Sequence, residues 1–357
     1  MMPAASPWEG GSLVTQRFDA SRGTLIGDPR TLLSGVAVHG DSRPAGDFSV
    51  SRNGVLAFRP GTVTNPSRLT WYDRSGKVLG TSGEEADYSS PALSPDGQRL
   101  AVSIRDLNGK RDIWVFELAR GTRTRVTFDP ADESNPTWSP NGSEIAYSSD
   151  RRGHRDMYAK SSSGNGQERL LLDSKEDKTV LDWSSDGKLY YSVLSPKPTR
   201  VLWVLPITGG QHTPSALFGA PYRQDYVKAS PDGRALLYRS TESRNTGDLF
   251  LQPLPANSPR WQITHSGGTA PQWRGDGREF FYYANDNLMA VDVSEDGAPG
   301  SPKKLFSIQT RASAGRNWFV VSRDGQRFLW ITPAEAKDPA LTPFVVILNW
   351  QRLLEDR

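Results

Sequence analysis

Cysteine is absent from the 357 residues, which excludes disulfides, thiolate zinc sites and a cysteine nucleophile. Histidine is nearly as scarce. The four copies, His39, His154, His212 and His265, are scattered, with no H-E-x-x-H and no paired metal spacing. Charge of one sign is lacking too: 43 Lys and Arg against 40 Asp and Glu leave only +3. A nucleic-acid partner, which needs a dense basic stripe, is therefore not expected. No run approaches the ~18 consecutive apolar residues of a membrane helix, so no span is expected in this chain. The opening MMPAASPWEGGSLV has no charged region followed by a long apolar run and does not read as a signal peptide. Neither G-x-S-x-G nor G-x-x-x-x-G-K-[ST] occurs, which leaves an α/β-hydrolase nucleophile and a phosphate loop without support.

What is present is turn chemistry and aromatic rings. The chain has 33 Gly, 26 Pro and 11 Trp with only 36% hydrophobic residues, a balance that suits many short strands joined by tight turns. One unit recurs seven times: FSVSRNG (48–54), PALSPDG (91–97), PTWSPNG (136–142), LDWSSDG (181–187), VKASPDG (227–233), PQWRGDG (271–277) and FVVSRDG (319–325). The closing glycines are 43, 45, 45, 46, 44 and 48 residues apart, the period of a four-stranded propeller blade. After each turn comes a second apolar run, such as RLAVSI or EIAYSS. A third follows, such as DIWVFEL or VLWVLPI, and then a short fourth such as TRVTF. Asp-Gly between two such runs is a hairpin signal, because glycine tolerates the positive φ of the turn.

The expectation is an all-β protein: a β-propeller of about seven four-stranded blades, forming a single domain over 1–357. An N-terminal strand, SLVTQRF (12–18), is expected to close the ring on the C-terminal blade. Because SLVTQRFDASRGTLIGDPRTLL (12–33) also resembles NLMAVDVSEDGAPGSPKKLF (287–306), that stretch also reads as the outer half of a blade in a fragment of a longer protein. Trp138, Trp183 and Trp273 share one position on the first strand, and Trp71, Trp114 and Trp203 sit on the third. Rings at fixed register are expected to pack blade against blade. The Asp-Gly aspartates read as turn residues, since the further ligands of a calcium loop are missing.

The wording of the repeat resembles a known family. SPDGQRLAVSIRDLNGKRDIWVFELARGTRTRVT (94–127) and SPNGSEIAYSSDRRGHRDMYAKSSSGNGQERLL (139–171) are similar to the TolB-type, WD40-like propeller repeat. That resemblance implies the propeller fold and a soluble bacterial interaction module for a protein, peptide or small-molecule ligand. GSLVTQRFDASRGTLIGDPRTL (11–32), FSVSRNGVLAF (48–58) and FVVILNW (344–350) look most like the extracytoplasmic propeller portions of bacterial membrane-anchored serine/threonine kinases. An extracytoplasmic, periplasmic setting is what that likeness implies. No kinase catalytic loop, TolB-type helical N-terminal domain or hydrolase domain accompanies it.

The repeats also say where a site would lie. Residues nine to seven before each turn glycine fall at the channel mouth, where loops from every blade converge. The ligand-binding candidates there are Asp47, Tyr88, Glu133, Asn135, Lys178, Asp225, Tyr226, Arg316 and Asn317, with His265 just upstream of one of these strands. Acidic loops (84–87, 129–133, 176–177) precede the strands. Basic ones (Arg105, Lys110, Arg111; Arg151, Arg152, Arg155; Lys197, Arg200) open on the same face, giving an acidic inner and a basic outer ring. The leading expectation is a monomeric binding module, without cofactor, that captures a peptide or small ligand at this mouth. The alternative is a hydrolase or lyase of lactone-, ester- or glycoside-like substrates. It would use Ca2+ or another divalent ion held by Asp47, Glu133, Asn135 and Asp225, an oxygen-only set that suits calcium more than zinc.

Overall fold

The computed structural model describes residues 13–33, 35–36, 38–39, 45–59, 66–106, 109–194, 200–208, 213–218, 222–243, 246–256, 258–308, 317–334 and 344–354. They are almost all antiparallel strand. Among the described residues the one helical element is the 3-10 turn Trp350–Leu354. The chain gathers into two compact units: residues 66–104 with 110–334, and residues 1–65 with 105–109 and 335–357.

The larger unit is an all-β propeller whose strands come in sets of four. Set II is Glu133–Trp138, Glu144–Ser149, Asp156–Ser161 and Arg169–Leu170. Set III is Lys178–Trp183, Lys188–Leu194, Arg200–Pro206 and Ser215–Ala216. Set IV is Gln224–Ala229, Ala235–Ser240, Asp248–Pro253 and Trp261–Gln262. Set V is Thr269–Trp273, Glu279–Ala284, Asn287–Asp292 and Lys303–Ser307.

The remaining two sets share a strand. Val78–Leu93 pairs through its first half with Ser67–Asp73, which pairs in turn with Arg327–Pro333 and Phe319–Val321; these four are set VI. Its second half is the inner strand of set I, next to Arg99–Arg105, Arg111–Glu117 and Thr122–Arg125. The inner strands neighbour one another in order, and Phe319–Val321 neighbours Val78–Leu93. An apolar cluster fills each gap between successive sets. That is the arrangement alternating strands require, because each inward face must be buried against the next sheet.

The smaller unit, taken by itself, contains the first copy of the repeat. Phe48–Val50 and Val55–Phe58 flank the FSVSRNG turn, and Val345–Leu348 adds a third strand. Leu56, Phe58 and Val36 are its buried centre. The segment expected to close the ring does something else. Leu13–Asp19 pairs with Thr24–Leu33 as a hairpin, and the strand lying against Arg327–Pro333 is Ser67–Asp73. The reason is local: DASRG (19–23) is a tight turn in which the Asp19 carboxylate accepts from the Ser21 and Arg22 amides, folding the first run back onto the second.

Candidate functional site

Each inner strand ends in the repeated turn. Ser94 donates its hydroxyl to Asp96, whose carboxylate also accepts the Gln98 amide, and the Arg99 amide returns to the Ser94 oxygen. The serine hydroxyl holds the Asp96 carboxyl below its ordinary range, and Ser322 does the same to Asp324. These aspartates are turn acceptors. Gly97, at φ +71°, sits where the hairpin demands a left-handed residue.

The opposite ends of the inner strands carry a bulge. Ser90, Asn135, Tyr226 and Ala270 occupy equivalent positions with φ between 52° and 58°. Ladder register slips at Ser134/Thr137, Asp225/Lys228 and Thr269/Gln272. In three of the four, proline follows (Pro91, Pro136, Pro271), and with no N–H to donate it suits the broken ladder. The bulge residues touch across sets: Ser90 Oγ lies 3.3 Å from Asn135 Oδ1.

Position nine before each turn glycine lies beneath this rim and is buried in every set where it is described. Tyr88 is packed in the gap between sets VI and I, its hydroxyl donating to the Glu84 carbonyl at 2.5 Å, and burial pushes it up to about 12. Glu133 accepts from Arg151 at 2.8 Å and from Ser149 at 3.1 Å. Burial still outweighs the guanidinium and pushes the Glu133 carboxyl up to about 7. Lys178 is fully buried, 2.8 Å from Asp156, and donates to the carbonyls of Ser174 and Glu176. At the next position Asp225 is held by Arg239 at 2.8 Å and Arg223 at 2.9 Å, and the Arg239 guanidinium lies 4.7 Å above the Tyr226 ring.

The inner acids and the loop arginines are thus partners of one another. Arg111 and Arg155 both approach Asp132, at 3.4 and 3.8 Å, and Arg151 also meets Glu168 and Asp129. Asn135, Tyr226 and Asn317 are half-buried at the mouth, and His265 is exposed. Asp47 belongs to the smaller unit, where Arg59 is 3.5 Å away. Arg316, His212 and Lys197 lie outside the described residues. For a divalent ion the proposed oxygen set fits poorly, since the Glu133 and Asp225 carboxylates already face guanidinium groups. Among the described residues no three His, Asp or Glu gather as a metal site.

Some buried polar atoms at this end stand without partners among the described residues: both amide atoms of Gln224, the Ser89 hydroxyl and the Thr269 hydroxyl. Gln224 is 0% exposed and Ser89 1%. Buried polar groups are almost always satisfied, so such a group calls for a water or a ligand.

A second feature, which the repeat-based reading missed, lies at the turn end of the inner strands. In the larger unit, residues five or four before the turn glycines line a chamber of about 240 Å³, with Trp138, Trp183, Trp273, Asp182, Lys228 and Gln272 in its wall. The tryptophans stitch neighbouring sets together. Trp138 donates to the Ala92 carbonyl at 2.9 Å and Trp273 to the Lys228 carbonyl at 3.2 Å. The signal was present as polar residues (Asp182, Lys228, Gln272) on strands otherwise built for the core.

An all-β ring of sheets around a channel, with polar residues at both ends, defines a β-propeller. Part of the chain is similar in sequence to TolB propellers. Residues 75–213 match the family model described as the TolB beta propeller domain. The Tol-Pal system protein TolB of Francisella tularensis is 28% identical over 198 residues, which are 54% of this chain and 44% of that protein. An uncharacterized peptidase, YuxL of Bacillus subtilis, is 32% identical over 106 residues, 28% of this chain and 16% of that one. The matched segments span less than half of either relative. A putative TolB from Agrobacterium tumefaciens superposes with TM-score 0.62 at 20% identity, covering 76% of this chain and 99% of that one, a likeness of fold.

Proposed function

We propose that this chain is a TolB-like interaction module which captures an extended peptide at the bulged end of its channel. The supporting observation is the bulged rim itself, where the strand ladder slips at Ser134/Thr137 and Asp225/Lys228 and half-buried polar side chains face an incoming chain. The accessible contacts are then Asn135, Tyr226 and Asn317, while Glu133, Lys178 and Asp225 hold the rim in shape through their ion pairs. The likeness to a Tol-Pal system protein points the same way. The test is a displayed random-peptide library selected on the purified chain. Enriched peptides should lose at least tenfold in affinity to the pair Asn135→Gly and Tyr226→Ala, glycine being chosen to keep the positive φ. Undiminished binding would remove the bulged end from the site.

A second reading is favoured by the peptidase match: the propeller of a hydrolase. Turnover of peptide or ester substrates by the purified chain, abolished by changes at the channel ends, would establish it. Placement in a membrane-anchored kinase rests on the wording of residues 11–32, 48–58 and 344–350.

A further inference from the structure

The chamber at the turn end has polar groups that are not evenly spent. Asp182 has a partner on each oxygen, Oδ1 accepting from Lys228 at 2.9 Å and Oδ2 from the Ala229 amide at 2.9 Å. Lys228 gives one proton to Asp182 and a longer one to the Leu181 carbonyl at 3.4 Å, leaving the third donor of its ammonium group. Trp183 and Gln272 are each 9% exposed, and among the described residues neither the indole nitrogen nor the amide nitrogen has an acceptor. The equivalent indoles of Trp138 and Trp273 do have one, so Trp183 departs from its own repeat. A half-turn of the Gln272 amide exchanges its nitrogen and oxygen, so the nitrogen can be presented to the chamber. At the rim, exposed Arg323 makes no ion pair among the described residues. What remains is donor-rich and cationic, while the rest of the wall is aromatic and aliphatic.

We propose that this chamber binds a small carboxylate with an apolar body. The carboxylate would lie against Lys228 and the half-turned Gln272 amide, the body against the indole walls, and Arg323 would attract it at the entrance. The site is at the far end of the inner strands from the bulged rim and does not depend on the peptide reading. Two sources share this chemistry, a free arylalkanoic acid and the C-terminal carboxylate of a peptide ending in an aromatic residue.

The test is calorimetric titration of the full chain with 3-phenylpropionate and 3-phenylpropionamide, and with N-acetyl-Ala-Phe as acid and as amide. At least one acid should bind saturably, one to one, and tenfold or more tighter than its amide. Which acid it is identifies the source. The paired change Asp182→Asn with Lys228→Met removes both charges at similar volume and should abolish the acid-over-amide preference without shifting the melting temperature much. If that pair does not fold, Arg323→Ala at the exposed rim should weaken the acid several-fold and leave the amide alone. The rim change Tyr226→Ala should alter neither. No binding by either acid, equal binding of acid and amide, or an unchanged preference in whichever of these chamber variants folds overturns the proposal.

Discussion

Arg74 and Glu279, 205 residues apart, form a two-pronged ion pair, with guanidinium nitrogens 2.7 and 3.0 Å from the two carboxylate oxygens. The pair ties set VI to set V, and Arg74 also donates to the Gly325 carbonyl. Glu279 is 4% exposed at its side chain, so removing the arginine leaves a carboxylate whose one remaining ion pair among the described residues is with Arg274 at 3.1 Å. Arg74→Met is expected to cost roughly 2 kcal/mol, read from chemical denaturation. A cost below ~0.5 kcal/mol would make this an ordinary surface pair.

The two hairpin assignments predict opposite outcomes for proline. Leu69 is fully buried and paired on both sides, with Ile331 and with Ser82. Leu69→Pro is expected to destabilise the larger unit by roughly 3 kcal/mol or more. Val14→Pro, in the Leu13–Asp19 hairpin, should leave hydrogen exchange in residues 66–334 unchanged. If Val14→Pro opened the larger unit instead, Leu13–Asp19 would be holding it.

Equivalent tryptophans should not be equally costly. Trp138 loses a hydrogen bond to Ala92 on becoming phenylalanine, whereas the Trp183 indole has no acceptor to lose among the described residues. Trp138→Phe should cost about 1 kcal/mol more than Trp183→Phe in matched denaturant titrations. Equal costs would mean that both are packing residues only.

Glu133 sets a pH dependence of definite sign. Its folded-state carboxyl is pushed up to about 7 by burial, above the ordinary 4.5, so the folded state holds its proton more tightly. The stability this confers is fully present below about pH 4.5 and is lost as pH rises through about 7. Glu133→Gln keeps an acceptor for Arg151 and Ser149 but cannot titrate. Its melting temperature relative to wild type should therefore climb between pH 5 and 7.5. A difference that stays constant across that range would sink the assignment.

Amides elsewhere on the rim should be costly. Asp225→Asn strands Arg239 and Arg223 beside a neutral group, and a loss of roughly 2–3 kcal/mol is expected by thermal or chemical denaturation. A neutral or stabilising result would show the carboxylate is held against its own field and free to receive a cation.

The legible part of this molecule was its punctuation. Turns at 94–97, 139–142, 184–187, 230–233, 274–277 and 322–325 fall between inner and second strands as the repeats indicate, because an aspartate or asparagine followed by glycine, after serine in all but the Arg274 turn, builds that hairpin from local chemistry alone. Val78–Leu93 was not legible as a strand serving two sets, since nothing in VLGTSGEEADYSSPAL marks where one sheet hands over to the next. Nor were the partners of the mouth acids. That Arg239 meets Asp225 and Arg151 meets Glu133 depends on strand register, and a charge count on loops sees only opposite signs on one face. Tyr88 was read as lining and is core, because the bulge at Ser90 shifts which side of the strand faces inward.

The pairing of Ser67–Asp73 with Arg327–Pro333 has a consequence for synthesis. The strand Ser67–Asp73 leaves the ribosome about 250 residues before its partner, an interval of roughly 12–50 s at ordinary translation rates. Throughout that time it presents an open row of amides and carbonyls to whatever else is being made nearby. The nascent chain therefore carries an open edge until residue 327 is made, and a product truncated before that residue would have an unfinished seam.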